Sequence, residues 1–386
     1  MQYDFTTPNP KDRVHPFLQH AGVTDPAILP HSVAEMRFNL APEILQAMHQ
    51  VVDAGSFGYA GPGEDYAAAV TAWMRRRHGW SVQPEWLVQT SGVVVALGLA
   101  IRTLTQPGDG VIVQPPVYGP FRTSVENNGR TLVENPLVCR DGRYVMDLED
   151  LRRKAPKAKA LLLCSPHNPV GRVWTAQELR ELADICLEHD LYVVSDEIHH
   201  DLVFQPHTVL TQAAPELAAR CIICTAPSKT FNLAGCGLSN IVIPDADLRE
   251  RFSRRVNVEC GHYLNTFGFA VAQAAYTSGD DWLDQCLEVI QTNEGVVRKA
   301  LSRFCPEAAV PPLEGTYLLW IDLNCLGLEE DRLMPVLEKH QVFVNGGTFF
   351  GPQGNGCIRF NLAAPTAYVE QAMVRLEQAV AEIKGL

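Results

Sequence analysis

Five short apolar runs, "GVIVQPP", "AKALLLC", "LYVVSDE", "CIICTA" and "LSNIVIP", recur through the middle of the chain, each bounded by turn residues. None alternates apolar with polar residues, so each is expected to form a strand covered on both faces. Between and before them lie segments of helical period such as "EDYAAAVTAWMRRRHG" and "TAQELRELADICLEHD", the second opened by Thr175 and Glu178 in capping-box register. Strands that alternate with helices imply an α/β fold, a mainly parallel sheet wrapped by helices. We assign this large domain to residues 46–285. A long helical stretch then leads into "TYLLWIDL", "VFVNGG" and "CIRFNLA", which predict a smaller α+β domain with an antiparallel sheet over residues 286–386. Residues 1–45 are proline-rich and irregular at their start, and are expected to pack with the small domain.

Composition narrows the function classes. The 386 residues carry a formal net charge of −12 and no basic tract, which gives a nucleic-acid partner no electrostatic support. No apolar run reaches the length of a membrane span, and the first residues lack the pattern of a secretory signal. The 11 cysteines are scattered and sit mostly in apolar runs, as reduced thiols of a cytoplasmic protein would. Cys221 and Cys224 form a CxxC, but within a buried strand pattern and with no second pair to complete a zinc site.

In open α/β sheets, ligands bind beyond the carboxyl ends of the strands, and the polar residues fall there. "LYVVSDEIHHDL" delivers Asp196, Glu197, His199 and His200. "LLLCSPHNPVG" delivers His167 and Asn168, "CIICTAPSK" delivers Ser228 and Lys229, and "VIVQPPVYGPF" delivers Tyr118. "QTSGVVVALGLAIR" opens a helix at Gly92, Val93 and Val94, where free N–H groups suit a phosphate. Pyridoxal phosphate requires all of these parts: a lysine to form an imine, a carboxylate for its ring nitrogen, an aromatic ring to stack on, and a helix start for its phosphate. On this reading Lys229 forms the imine, Asp196 pairs with the ring nitrogen and Tyr118 stacks. Asn168 bonds the ring hydroxyl and Ser228 the phosphate. A lysine placed so is expected to have a lowered pKa.

The stretches "FGYAGPG", "QPPVYGPF", "SPHNPVGRVW", "SDEIHHDL", "APSKTFNLAG", "EGTYLLWIDL" and "CIRFNLA" resemble, in order and over nearly the whole chain, fold-type I pyridoxal-phosphate enzymes of the class I/II aminotransferase superfamily. Within it the chain most resembles the MalY/PatB group of cystathionine β-lyases. The resemblance implies a seven-stranded type of large-domain sheet and C–S β-elimination of cystathionine or another S-substituted cysteine. It also implies Arg359 as the grip on the substrate α-carboxylate, Asn168 and Ala34 as further substrate contacts, and His199 beside the ring hydroxyl. Gly92, Val93 and Val94 become phosphate contacts, and Tyr59 a residue that reaches the active site of the partner in a homodimer. Two departures stand out. Gly237 occupies a position where many aminotransferases carry a phosphate-binding arginine. "SVAEMRF" places Ser32, Glu35 and Arg37 where the lyase group usually has tryptophan and two aspartates, which puts the usual substrate in doubt.

Other readings remain at this stage. An aminotransferase could use the same scaffold, and so could a pyridoxal-phosphate-binding regulatory protein with residual catalysis. A metal cluster at 196–201 is disfavoured, because side chains at 196, 197, 199 and 200 of an extended segment cannot face one point.

Overall fold

All five apolar runs are strands of one sheet in the computed structural model, which describes residues 2–9, 28–261 and 264–385. The sheet comprises β1 (Leu87–Thr90), β2 (Gly110–Val113) and β3 (Thr131–Glu134). A small hairpin of β4 (Val138–Arg140) and β5 (Arg143–Val145) stands apart from it. The sheet continues with β6 (Ala160–Cys164), β7 (Tyr192–Asp196), β8 (Cys221–Thr225) and β9 (Ser239–Val242). Its seven strands run in the order β1-β9-β8-β7-β6-β2-β3, and only β9 runs against the direction of the other six.

Strand geometry explains why the runs are apolar throughout. Successive side chains point to opposite faces, so Leu161, Leu163, Val193 and Ile223 join one core while Ala160, Leu162, Val194 and Ile222 join the other. Helices Val93–Leu104 and Ala246–Glu259 cover the second face, and helices Glu64–His78, Ala176–Glu188 and Thr266–Ser278 the first. Each fully buried aliphatic side chain contributes about 1.5–3 kcal/mol. The capping box forms as read: Thr175 accepts from the Glu178 N–H, and the Glu178 carboxylate accepts from the Thr175 N–H.

The small sheet contains β10 (Leu318–Asp322), β11 (Asn345–Gly346) and β12 (Cys357–Asn361) in the order β10-β12-β11, all antiparallel. The 25-residue helix Asp280–Phe304 runs unbroken through position 285, so no chain break marks the boundary drawn there. Two ion pairs converge on Glu314: Arg172 meets its carboxylate at 2.8 Å, and Arg143 meets it at 2.7 Å.

Of the N-terminal segment, residues 10–27 lie outside the described residues. Residues 28–38 follow the small domain, where Asn361 N–H donates to His31 O and Arg37 N–H to Ala363 O. They also touch the large domain, because Asn232 brackets Met36 with two hydrogen bonds of 3.0 and 2.9 Å. Among the described residues no helix is long and apolar enough to cross a membrane.

Candidate active site

The carboxyl ends of β6, β7 and β8 open into one cavity of about 190 Å³, which Ala34 also lines. β8 ends at Thr225, and the single turn Pro227–Thr230 that follows carries Ser228 and Lys229 to the cavity wall. The Lys229 ammonium donates to the Ala34 carbonyl at 2.7 Å. Burial, aided by the positive charge of Arg359, brings the Lys229 pKa down to about 8 despite the opposing pull of Glu35 and Asp196.

Asp196 is the last residue of β7 and faces the same cavity. One oxygen accepts from the Ile198 N–H at 3.1 Å, and burial pushes the carboxyl up to about 7 against that bond and the charge of Lys229. Tyr118 and His199 line the cavity too, and Asn168 arrives from the loop after β6. His199 is buried, its Nδ1 has no hydrogen-bond partner, and burial with the charges of Lys229 and Arg359 holds it well below the ordinary histidine pKa. It is therefore a neutral imidazole.

Gly92 caps the helix Val93–Leu104, and Gly92, Val93 and Val94 all line the cavity, so the N–H groups of the helix's first turn open onto it. Gly237, the position that departs from many aminotransferases, has φ +53°, a left-handed conformation that favours glycine over arginine.

Arg359 stands on β12, and its guanidinium reaches Asn168 Oδ1 at 3.1 Å, Ser32 O at 2.7 Å and Asn345 Oδ1 at 2.7 Å. It lies 4.7 Å from the Phe350 ring centre, and its Nε is buried without a partner. Tyr59 is placed elsewhere: it is 84% exposed and does not line this chain's own cavity. Sequence reasoning missed Tyr317, Asn345 and Phe350. The Tyr317 hydroxyl donates to Ala34 O at 2.8 Å, and the other two fix Arg359.

Three expectations change. The chain turns after Asp196, so strand alternation does not separate residues 197–201. Instead Glu197 is taken up by Ser195, His207 and the Leu210 N–H, and His200 and Asp201 lie beneath the cavity wall. His167 is absorbed by packing, with Nε2 2.9 Å from Pro116 O and its ring edge on Trp174. Arg37, expected near substrate, is buried with its guanidinium on Pro30 O and is not among the described cavity residues.

The residues present suit pyridoxal phosphate on three counts: an amine of lowered pKa, a buried carboxylate that burial leaves short of partners, and helix N–H groups at the rim. Over residues 29–376 the sequence matches aminotransferase class I and II. Cystathionine beta-lyase PatB of Bacillus subtilis (strain 168) is 40% identical over 364 residues, 93% of this chain and 94% of that protein. Protein MalY of Escherichia coli (strain K12) is 29% identical over 92% of this chain and 93% of its own. The crystal structure of cystalysin from Treponema denticola, which contains a pyridoxal 5'-phosphate cofactor, matches with a TM-score of 0.96 at 39% identity, over 99% of this chain and 100% of that one. A chain with this sheet, this cavity and these relatives belongs to the aminotransferase class I and II family.

Proposed function

We propose that this protein is a pyridoxal-phosphate-dependent C–S β-lyase that cleaves cystathionine or other S-substituted L-cysteines to pyruvate, ammonia and a thiol. The observation that carries the reading is that Lys229 and Asp196 line one cavity with Asn168, which Arg359 holds at 3.1 Å, in a chain 40% identical to cystathionine beta-lyase PatB.

Lys229 would hold the cofactor, Asp196 its ring nitrogen, Tyr118 its ring face and Asn168 its ring hydroxyl. Gly92, Val93, Val94 and Ser228 would take the phosphate. When bound, the cofactor supplies an electron-withdrawing ring that makes the substrate Cα proton removable. Lys229 is the base for that proton. With a pKa of about 8, roughly a quarter of its amines are neutral at pH 7.5, against about one in a thousand for an ordinary lysine. Arg359 orients the substrate, and its unpartnered Nε is the free donor for an α-carboxylate. Asn168 Oδ1 is engaged by Arg359, which leaves its Nδ2 to donate. His199, held neutral, adds hydrogen bonding beside the cofactor without a second buried cation.

Tyr59 supports a homodimer in which each copy completes the other's site, since an aromatic residue 84% exposed at the edge of a glycine loop is placed to reach outward. The eleven free thiols suit a reducing cytoplasm.

The test is product analysis of the cofactor-loaded protein with cystathionine, cystine and other cysteine conjugates. Pyruvate and thiol release without a keto-acid acceptor is expected. A product that forms only when an acceptor is added would assign the protein to transamination instead. Lys229→Ala should lose turnover and the visible absorbance of the bound cofactor while keeping the fold; normal turnover in that variant would end the mechanism.

A further inference from the structure

Outside the cavity lining, two histidines, His78 and His200, converge on the Asp201 carboxylate. Asp201 is fully enclosed. Its Oδ2 accepts from the Thr230 hydroxyl at 2.7 Å, and its Oδ1 accepts from Trp73 Nε1 at 2.9 Å and lies 2.7 Å from His78 Nε2. His200 Nε2 stands 3.4 Å from the same Oδ1 yet makes no hydrogen bond. The ring's other nitrogen settles its tautomer. His200 Nδ1 contacts the Glu197 carbonyl, which can only accept, so Nδ1 carries the hydrogen. His200 is only 1% exposed, so its Nε2, an acceptor in this tautomer, is buried near a carboxylate oxygen with no donor of its own. A buried acceptor without a donor is costly, and a cation bound between it and the carboxylate would relieve both.

We propose that His78 Nε2, His200 Nε2 and Asp201 Oδ1 form a binding site for a divalent transition ion of the zinc type, separate from the cofactor cavity. The three atoms lie within 4.8 Å of one another. Bonds of about 2.0–2.1 Å in tetrahedral geometry require ligand atoms about 3.4 Å apart. The His200–Asp201 pair already has that spacing at 3.4 Å, and the His78–Asp201 pair, now at 2.7 Å, must open by about 0.7 Å. His78 then moves its hydrogen to Nδ1 to expose a lone pair. Two imidazoles and one carboxylate suit zinc better than calcium or magnesium, which prefer oxygen. His207 stands beside the cluster, its ring centre 6.0 Å from His78 and 6.2 Å from His200, with Nδ1 unpartnered.

The consequence is mechanical. His78 ends the helix Glu64–His78, and Asp201 holds Thr230 next to Lys229. An ion here would tie that helix end to the turn that carries the lysine.

The experiment uses the cofactor-loaded protein with exposed thiols alkylated, so that Cys139, Cys260 and Cys325 do not compete. Zinc alone is added and bound metal is counted after dialysis. One zinc per chain and a raised unfolding temperature are expected. His200→Ala and, independently, His78→Gln should each weaken binding by roughly tenfold or more, with the cofactor's absorbance retained as evidence of folding. Cobalt in place of zinc should show the d–d spectrum of nitrogen and oxygen ligands without sulfur bands. No uptake by the parent protein, or equal uptake by parent and variants, overturns the site. So does a proton-bound His200 seen in imidazole NMR spectra while zinc is present.

Discussion

Asp196 and Asp201 lie five residues apart on one segment, both almost fully buried, and the fold treats them in opposite ways. Asp201 is surrounded by donors from Trp73, His78 and Thr230, and against the pull of burial its carboxyl is held far below the ordinary range. Asp196 has a single backbone donor, and burial lifts it to about 7. Buried carboxylates are costly unless paired. The first has protein donors on both oxygens. The second is left short of partners and faces the cofactor cavity, where a cationic group would stabilise its anion. One aspartate is held by the scaffold and the other is open to the cofactor.

The largest expected effect separates them by activity. Asp196→Asn keeps the shape but cannot stabilise a protonated ring nitrogen, and its kcat should fall by roughly a thousandfold. Unfolding in urea should be little changed. If turnover persists within a factor of a few, Asp196 is not a ligand group and the comparison fails. Asp201→Asn should behave in reverse. It removes the charge that Trp73, His78 and Thr230 are arranged around, which costs about 3–5 kcal/mol of folding stability. The kcat of the fraction that remains folded and cofactor-bound should fall no more than about tenfold. Equilibrium unfolding and active-site titration, run on the same preparations, check both halves.

The two aspartates also differ in how far they could be read from sequence. Asp196, Lys229 and Asn168 were legible because an apolar run marks its own end, and the first residues past a parallel strand face the ligand side. Arg359 was legible only through resemblance, since an arginine in a strand reads equally as an ion-pair former. Asp201 was misread with its neighbours. Strand alternation does not continue past Asp196: the backbone turns there, and His200 and Asp201 stay out of the described cavity lining. Nothing local announces that turn, and nothing local links Asp201 to His78, which lies on a helix 123 residues earlier. Tyr317, Asn345 and Phe350 were invisible for the same reason: Tyr317 meets Ala34 across 283 residues, and Asn345 and Phe350 reach Arg359 only through the pairing and packing of the small sheet. Strands β1 and β3 escaped notice because "LVQT" and "TLVE" are short edge strands, half-buried and partly polar.

Proton linkage sharpens the contrast in the cofactor-free protein. Asp196 has a folded pKa above its unfolded value, so between about pH 4 and 7 the native state binds the extra proton. Its contribution to stability is present in acid and declines as pH rises through that window, by up to about 1.4 kcal/mol per pH unit. Asp201 has the opposite sign: its contribution is present above the ordinary carboxylate pKa and is lost as pH falls below it. The difference in unfolding free energy between the parent and Asp196→Asn, measured at pH 5 and pH 7, isolates the first term. A difference that does not shrink with rising pH would mean the Asp196 carboxyl is already ionised in the empty pocket.

Arg37 extends the same distinction to the segment where the chain departs most from its resemblance group. Although it replaces an acidic residue there, its guanidinium serves the Pro30 carbonyl and stays out of the described cavity, while Ala34 alone presents its carbonyl to Lys229 and Tyr317. Arg37→Ala should therefore act on the fold. Leaving a buried carbonyl without its donor costs about 1–3 kcal/mol. The ratio of kcat/KM values for cystathionine and cystine should stay within about twofold of the parent. A changed ratio with unchanged stability would reverse that assignment and place Arg37 with Asp196 among the groups that face the ligand.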